Sequence, residues 1–188
     1  VAYNFLNMES NPGYYTSSTY FGGLGDIFTL GLSYQSQADG AGTTAGPADF
    51  SAVILDVLFE KVLGDGAVFT VDAEYKSFSA PISTTAAADP DCFCLFDGES
   101  HFATAAYLFA NSGTIMGTEV RYQPYLRHTS NNPTKGASSD LNEVGLNFVI
   151  NGHNARLNVN YTNGDANLTG TAAASDTSAL SFNVQIQI

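Results

Sequence analysis

The sequence predicts an all-β protein, an antiparallel β-barrel whose strands are apolar on one face and suited to crossing a membrane. Three observations carry that expectation. Charged residues make up only 13% of the chain, about half the share of an ordinary soluble domain. Apolar and polar residues alternate with a period of two over most of the length, which is the spacing of a strand with two unlike faces. The breaks between these segments are alternately short and long, as expected of a barrel with tight turns at one end and loops at the other.

Each segment can be placed in order. Val1, Tyr3 and Phe5 open the chain, and Phe28, Leu30, Leu32 and Tyr34 form the second strand. Val53, Leu55, Val57 and Phe59 alternate with Asp56 and Glu60, then Phe69, Val71, Ala73 and Tyr75 alternate with Asp72, Glu74 and Lys76. Residues 101–110 are weaker, marked by Tyr107 and Phe109. Val120, Tyr122, Pro124 and Leu126 face away from Glu119, Arg121 and Arg127; Val144, Leu146, Phe148 and Ile150 face away from Glu143. Leu157, Val159 and Tyr161 oppose Arg156, and Phe182, Val184, Ile186 and Ile188 close the series. These nine segments span residues 1–188 as one domain, and none has a sustained helical period.

Glycine and asparagine mark the tight connections at Gly64-Asp65-Gly66 and Asn151-Gly152-His153-Asn154, with a third turn starting at Asn111-Ser112-Gly113. Residues 38–49, 81–100, 130–139 and 163–177 read as long solvated loops. The early connection 7–26 is also long and carries Tyr14, Tyr15, Tyr20 and Phe21. Counting strands places the end of the last strand on the tight-turn side. Nine strands are an odd number, whereas closed bacterial barrels of this type are even. The expectation is therefore that the chain is the later portion of a larger barrel, with any export signal lying before Val1.

Six Lys and Arg against 18 Asp and Glu give a net charge of −12. That balance excludes a phosphate-binding nucleic-acid surface, which needs clustered cations, and predicts a surface or lumen that repels anions. The charges at alternate strand positions cannot face lipid cheaply, since Arg or Lys there costs roughly 2–4 kcal/mol near the midplane. Asp56, Glu60, Asp72, Glu74, Lys76, Glu119, Arg121, Arg127, Glu143 and Arg156 are thus expected to line the lumen. There they either filter solutes by charge or brace the wall as a salt-bridge network.

No catalytic constellation or cofactor motif emerges, so the chain is not expected to be an enzyme. His101, His128 and His153 lie in separate segments without a nucleophile beside them. Cys92 and Cys94, in the longest loop, admit a disulfide with each other or elsewhere, free thiols, or a metal site. Their ring would be strained, and a zinc site would want further ligands. The acidic residues Asp89, Asp91, Asp97 and Glu99 lack the calcium-loop pattern, so no metal is expected. Two sequons, at Asn160-Tyr161-Thr162 and Asn167-Leu168-Thr169, are discounted for a bacterial barrel.

The runs Tyr125-Leu126-Arg127-His128, Glu143-Val144-Gly145-Leu146-Asn147-Phe148 and Ile150-Asn151-Gly152-His153-Asn154-Ala155-Arg156-Leu157 resemble Gram-negative outer-membrane porins, above all the phosphate-selective porin O and P group. The stretch Gly13-Tyr14-Tyr15-Thr16-Ser17-Ser18-Thr19-Tyr20 is similar too. The resemblance implies the C-terminal portion of a 16- or 18-stranded porin barrel, a homotrimer in the outer membrane, in contact with lipid and lipopolysaccharide. The terminal alternation also resembles that of outer-membrane proteins, with Ile188 where an aromatic residue is usual. A phosphate-selective pore would want a ladder of Lys and Arg, and the mixed lumen set lacks one. The expected function is passive diffusion of small hydrophilic solutes or ions. The alternatives are a structural barrel sheathing a partner such as an electron-transfer protein, a soluble β-sandwich or adhesin domain, and, more remotely, an enzyme housed in a barrel.

Overall fold

A computed structural model describes residues 1–9, 19–81, 97–135, 137–165 and 176–187. Among them there is no helix, and every regular element is a strand of one antiparallel sheet. In chain order these are β1 (Ala2–Asn4), β2 (Ile27–Thr43), β3 (Gly46–Val62), β4 (Val68–Ser79), β5 (Gly98–Leu108), β6 (Ser112–Ile115), β7 (Thr118–Pro133), β8 (Ser139–Asn151), β9 (Ala155–Asp165) and β10 (Asp176–Ile186). Neighbours in sequence are neighbours in space, in the order β1-β2-β3-β4-β5-β7-β8-β9-β10, with β6 also on β7. β5 and β6 follow one another along β7, and Phe109 N–H still bonds Tyr122 O at 2.9 Å between them. All nine expected strands are present. The sheet does not close: among the described residues β1 and β10 each have a neighbour on one side only.

The strands run further than apolar alternation alone marks them. Residues 38–49, expected as a loop, are instead the far ends of β2 and β3, joined across Thr44-Ala45 with a bulge between Gln37 and Ala41. Backbone pairing continues there although the side chains have lost their alternation. The connection expected at 130–139 shrinks to residues 134–138, because β7 reaches Pro133. The third turn is also displaced. Ser112 and Gly113 belong to β6, and the chain reverses at Met116-Gly117, whose φ values of 50° and 81° suit a type I′ hairpin. The turns at 63–67 and 151–154 form as expected, with Gly66 N–H to Leu63 O at 2.8 Å and Asn154 N–H to Asn151 O at 2.9 Å.

Register assigns every strand residue to a face. The row Phe28, Phe59, Val71, Ala105, Leu126, Val144, Tyr161, Leu180 is directly opposed from β2 to β10, and it lies on a largely exposed apolar surface. Leu32, Leu55, Leu126, Phe182, Val184 and Ile186 are all about half exposed or more. The opposite face is polar over its middle. Near the tight-turn end it is apolar, where Val68, Leu108 and Val149 pack with Val62 and Phe21.

Phe21 arrives there from residues 19–26, the described end of the long first connection. Tyr20–Gly23 form a turn in which Phe21 and Gly22 both have positive φ, closed by Gly23 N–H to Tyr20 O at 2.9 Å. A Cβ on Gly22 would come within 2.7 Å of Val68 Cγ2, so only glycine fits that approach. The segment therefore covers the turn end of the polar face, a position its spacing in the sequence did not disclose.

Candidate functional site

The ten charged residues expected to line a lumen share the polar face by register: Asp56 and Glu60 on β3, Asp72, Glu74 and Lys76 on β4, Glu119, Arg121 and Arg127 on β7, Glu143 on β8 and Arg156 on β9. The face is concave. A cleft of about 420 Å³ is bounded by residues from β4, β5, β7, β8, β9 and β10 together with Thr19. Of the ten, Asp72, Arg127, Glu143 and Arg156 border the cleft, two of each sign. Its local charge therefore cancels although the chain carries −12.

The other six serve elsewhere on the same face. Glu60 is fully buried. A buried carboxylate is costly unless its lone pairs are filled. Here Thr19 Oγ1 donates at 2.8 Å, Tyr20 N at 3.0 Å, Thr70 Oγ1 at 3.3 Å and Gly22 N at 3.4 Å. Glu60 is thus the anchor of residues 19–22 rather than a group in contact with the cleft. Asp56 directly opposes Glu74, and Lys76 Nζ sits 2.6 Å from Glu74. Arg121 donates to Phe109 O at 3.1 Å and Gly66 O at 2.9 Å, tying the β3–β4 turn to the β5–β6 passage. Glu119 accepts from Ser112 Oγ.

Residues outside the expected set form most of the cleft wall. Asn183 donates to Asn158 Oδ1 at 3.0 Å, Asn158 to Asn147 Oδ1 at 2.9 Å, and Asn147 to Gln123 Oε1 at 3.0 Å. One directed chain of amides thus crosses β10, β9, β8 and β7. An amide both donates and accepts, so such a row satisfies itself between neighbouring strands. Beside it the Tyr125 hydroxyl donates to Glu143 and accepts from Asn158 at 3.2 Å. The Tyr125 ring lies over Gly145, where a Cβ would collide with it. Arg127 stacks 4.5 Å above the Phe102 ring. The signal in the sequence was polar, uncharged residues at alternate positions, Asn158-Val159-Asn160 and Asn183-Val184-Gln185, which a search for charge passes over.

His153 does more than shape its turn. Its Nε2 lies 2.5 Å from Thr19 O, its ring 4.9 Å from Phe21, and its carbonyl accepts from Gln185 Nε2 at 2.9 Å. Burial pushes the imidazole below its ordinary pKa, so the neutral ring donates from Nε2. Beside the same segment, hydrogen bonds from Lys61 and then from Val62 N–H hold the Asp26 carboxyl below the usual carboxylate range.

His101 and His128 lie diagonally on the apolar face with rings 6.0 Å apart, and His128 Nδ1 is 2.9 Å from Asn142 Oδ1. Among the described residues no three His, Cys, Asp or Glu are placed to hold a metal. Cys92, Cys94, Asp89, Asp91, Tyr14, Tyr15, Asn167-Leu168-Thr169 and Ile188 lie outside the described residues. The fold and the cleft stand without a relative to compare: no family model, no curated protein and no solved structure matches this chain.

Proposed function

We propose that the chain is the wall of an outer-membrane pore, its exposed apolar face against lipid and its concave polar face lining a water-filled channel for small hydrophilic solutes. The observation that carries this reading is the distribution of charge on the apolar face. Residues 28–34 of β2, 53–59 of β3, 69–75 of β4, 103–107 of β5, 120–126 of β7, 144–150 of β8, 157–161 of β9 and 180–186 of β10 form a continuous band. No outward position in that band is charged, and Lys61, Glu99, Asp140, Asp165 and Asp176 all fall beyond its ends. Aromatic rings border it: Phe28, Phe59, Phe69, Phe109, Tyr122 and Phe148 towards the tight turns, and Tyr34, Tyr75 and Tyr161 on the opposite side. Such girdles mark the two interfaces of a membrane barrel.

The band also runs obliquely. In the directly opposed row, Phe28 is the end of the β2 band nearest the turns, while Leu180 is the end of the β10 band farthest from them. The band thus slides by about six residues over about seven strand-to-strand steps. At roughly 3.3 Å per residue and 4.8 Å between strands, a level band implies strands tilted by roughly 30°. That is close to the tilt of about 35–45° in membrane barrels. A soluble sandwich has no reason to shift its apolar stripe this way. In lipid the two open edges need partners, because unpaired backbone is not tolerated there; further strands of a 16- or 18-stranded barrel, assembled as a trimer, meet that need.

The test is conductance of the full-length protein in a planar bilayer, together with Val144→Arg. Stepwise conductance is expected. The substitution should lower stability by roughly 2–4 kcal/mol, because it places a charge in the lipid-facing band. A folded protein that never conducts would overturn the channel and leave a sheathing barrel. An unchanged stability of Val144→Arg would overturn the membrane placement itself.

A further inference from the structure

From the chemistry of the cleft we infer a binding site for a neutral, hydroxyl-rich solute, of the chemical class of sugars and polyols, on the amide chain of β7–β10. The inference rests on the pore reading, because it takes the concave face to be a wetted wall. Three observations carry it. The first is charge: Asp72 and Glu143 against Arg127 and Arg156 cancel at the cleft border. An anion site wants converging donors and net positive charge, and a cation site wants acceptors and net negative charge; this cleft offers neither.

The second is the kind of polar group. Gln123, Asn147, Asn158 and Asn183 are fixed in one donor-to-acceptor chain with spacings of 2.9–3.0 Å. Each primary amide carries two N–H groups and an oxygen with two lone pairs. Asn158 and Asn183 use both N–H groups within the wall, to Tyr125, Asn147, Asn158 and Asn160. The acceptors open to a solute are therefore their oxygens, and the donors are the second N–H of Asn147 and the amide of Gln123. A sugar presents the same alternation, since every hydroxyl both donates and accepts. Gln123 and Asn147 are buried under 10% exposure, so the row is held in place and a solute meets it already organised.

The third is shape. The cleft is about 420 Å³, inside the roughly 300–1,000 Å³ of small-molecule sites. Tyr125 forms one wall, its ring seated on Gly145 and its hydroxyl fixed by Glu143 and Asn158. An aromatic surface beside paired polar groups suits a ring with apolar C–H faces and hydroxyl edges.

The experiment is saturation-transfer NMR on the full-length protein in a zwitterionic detergent without a sugar headgroup. The probe is sucrose, with a polyethylene glycol of similar size and inorganic phosphate as comparators. Transfer to sucrose should exceed that to the polymer. It should fall by roughly five- to tenfold in Asn147→Leu and in Asn183→Leu, the loss expected when one hydrogen-bonding partner is removed. The second variant lies at an exposed position and does not depend on refilling the buried row. Sucrose transfer no greater than that to the polymer, transfer unchanged in both folded variants, or displacement of sucrose by phosphate would each overturn the inference. Bilayer conductance separates the two readings. A conducting protein that ignores sucrose keeps the pore and loses the site. A sucrose-binding protein that does not conduct keeps the site and loses the pore.

Discussion

The two halves of the concave face solve the same problem differently. On β7–β10 a row of inward amides runs among the charged groups, and its members supply one another across adjacent strands: Asn183 to Asn158, Asn158 to Asn147, Asn147 to Gln123. On β3–β4 four of the inward groups are carboxylates, which only accept, with Lys76 paired to Glu74. Asp56 faces Glu74, and Glu60 is fully buried. One carboxylate cannot satisfy another, so Glu60 takes Thr70 from the neighbouring strand and three further donors from residues 19–22, about forty positions away in the chain. The amide half is therefore a property of the sheet. The carboxylate half is a joint between the sheet and a segment outside it.

That difference can be tested by breaking each half. Glu60→Ala should have the largest effect. It removes the acceptor for two hydroxyls and two backbone N–H groups in a buried site, for a loss of about 3 kcal/mol or more, read as a lower melting temperature in detergent. Glu60→Gln should cost less, because one oxygen remains. If Glu60→Ala melts like the parent, residues 19–22 are not anchored through this carboxylate.

Gly145→Val disturbs the amide half from the sheet side. The new side chain takes the space of the Tyr125 ring and pulls its hydroxyl from Glu143 and Asn158. Overpacking of this kind costs about 1–3 kcal/mol. The loss should be largely relieved in the double variant with Tyr125→Ala, and additive losses in that cycle would show that the ring is not the obstacle.

The smallest effect is in pH. His153 holds its folded pKa below the ordinary 6.5 through burial, so its contribution is complete above pH 6.5 and is lost as pH falls through the folded value. Asp26, also depressed but partly open to solvent, adds a weaker loss below pH 3.8. His153→Gln should flatten the slope of melting temperature between pH 7 and pH 5 and leave the more acidic limb. An unchanged slope in that variant would remove His153 from the joint.

The period-two pattern was legible wherever one face of a strand is apolar and the other polar, because successive side chains point to opposite faces. Val144 to Ile150 and Phe182 to Ile186 needed nothing else. Strand ends were not legible. Beyond the apolar band β2 and β3 are, apart from Phe50 and Pro47, polar or small, so Gly40, Gly42 and Pro47 read as loop while the backbone ladder continued to Thr43 and from Gly46. The charged members of the concave face were legible as alternate positions. The role of Glu60 was not, since nothing near it in sequence announces donors from Thr19 to Gly22.

The amino-acid sequence by itself determined the two faces and the order of neighbours. Side-chain direction alternates with every residue, and tight turns at 63–67 and 151–154 leave adjacent segments no other partner. Only the tertiary structure decided what each face contains as a surface. The slide of the apolar band across the strands, the cancelling charges around the cleft, and the docking of Phe21 and Glu60 all depend on register and on contacts between distant residues. No local pattern encodes these, because their energies arise only when segments far apart in the chain are brought within a few ångströms.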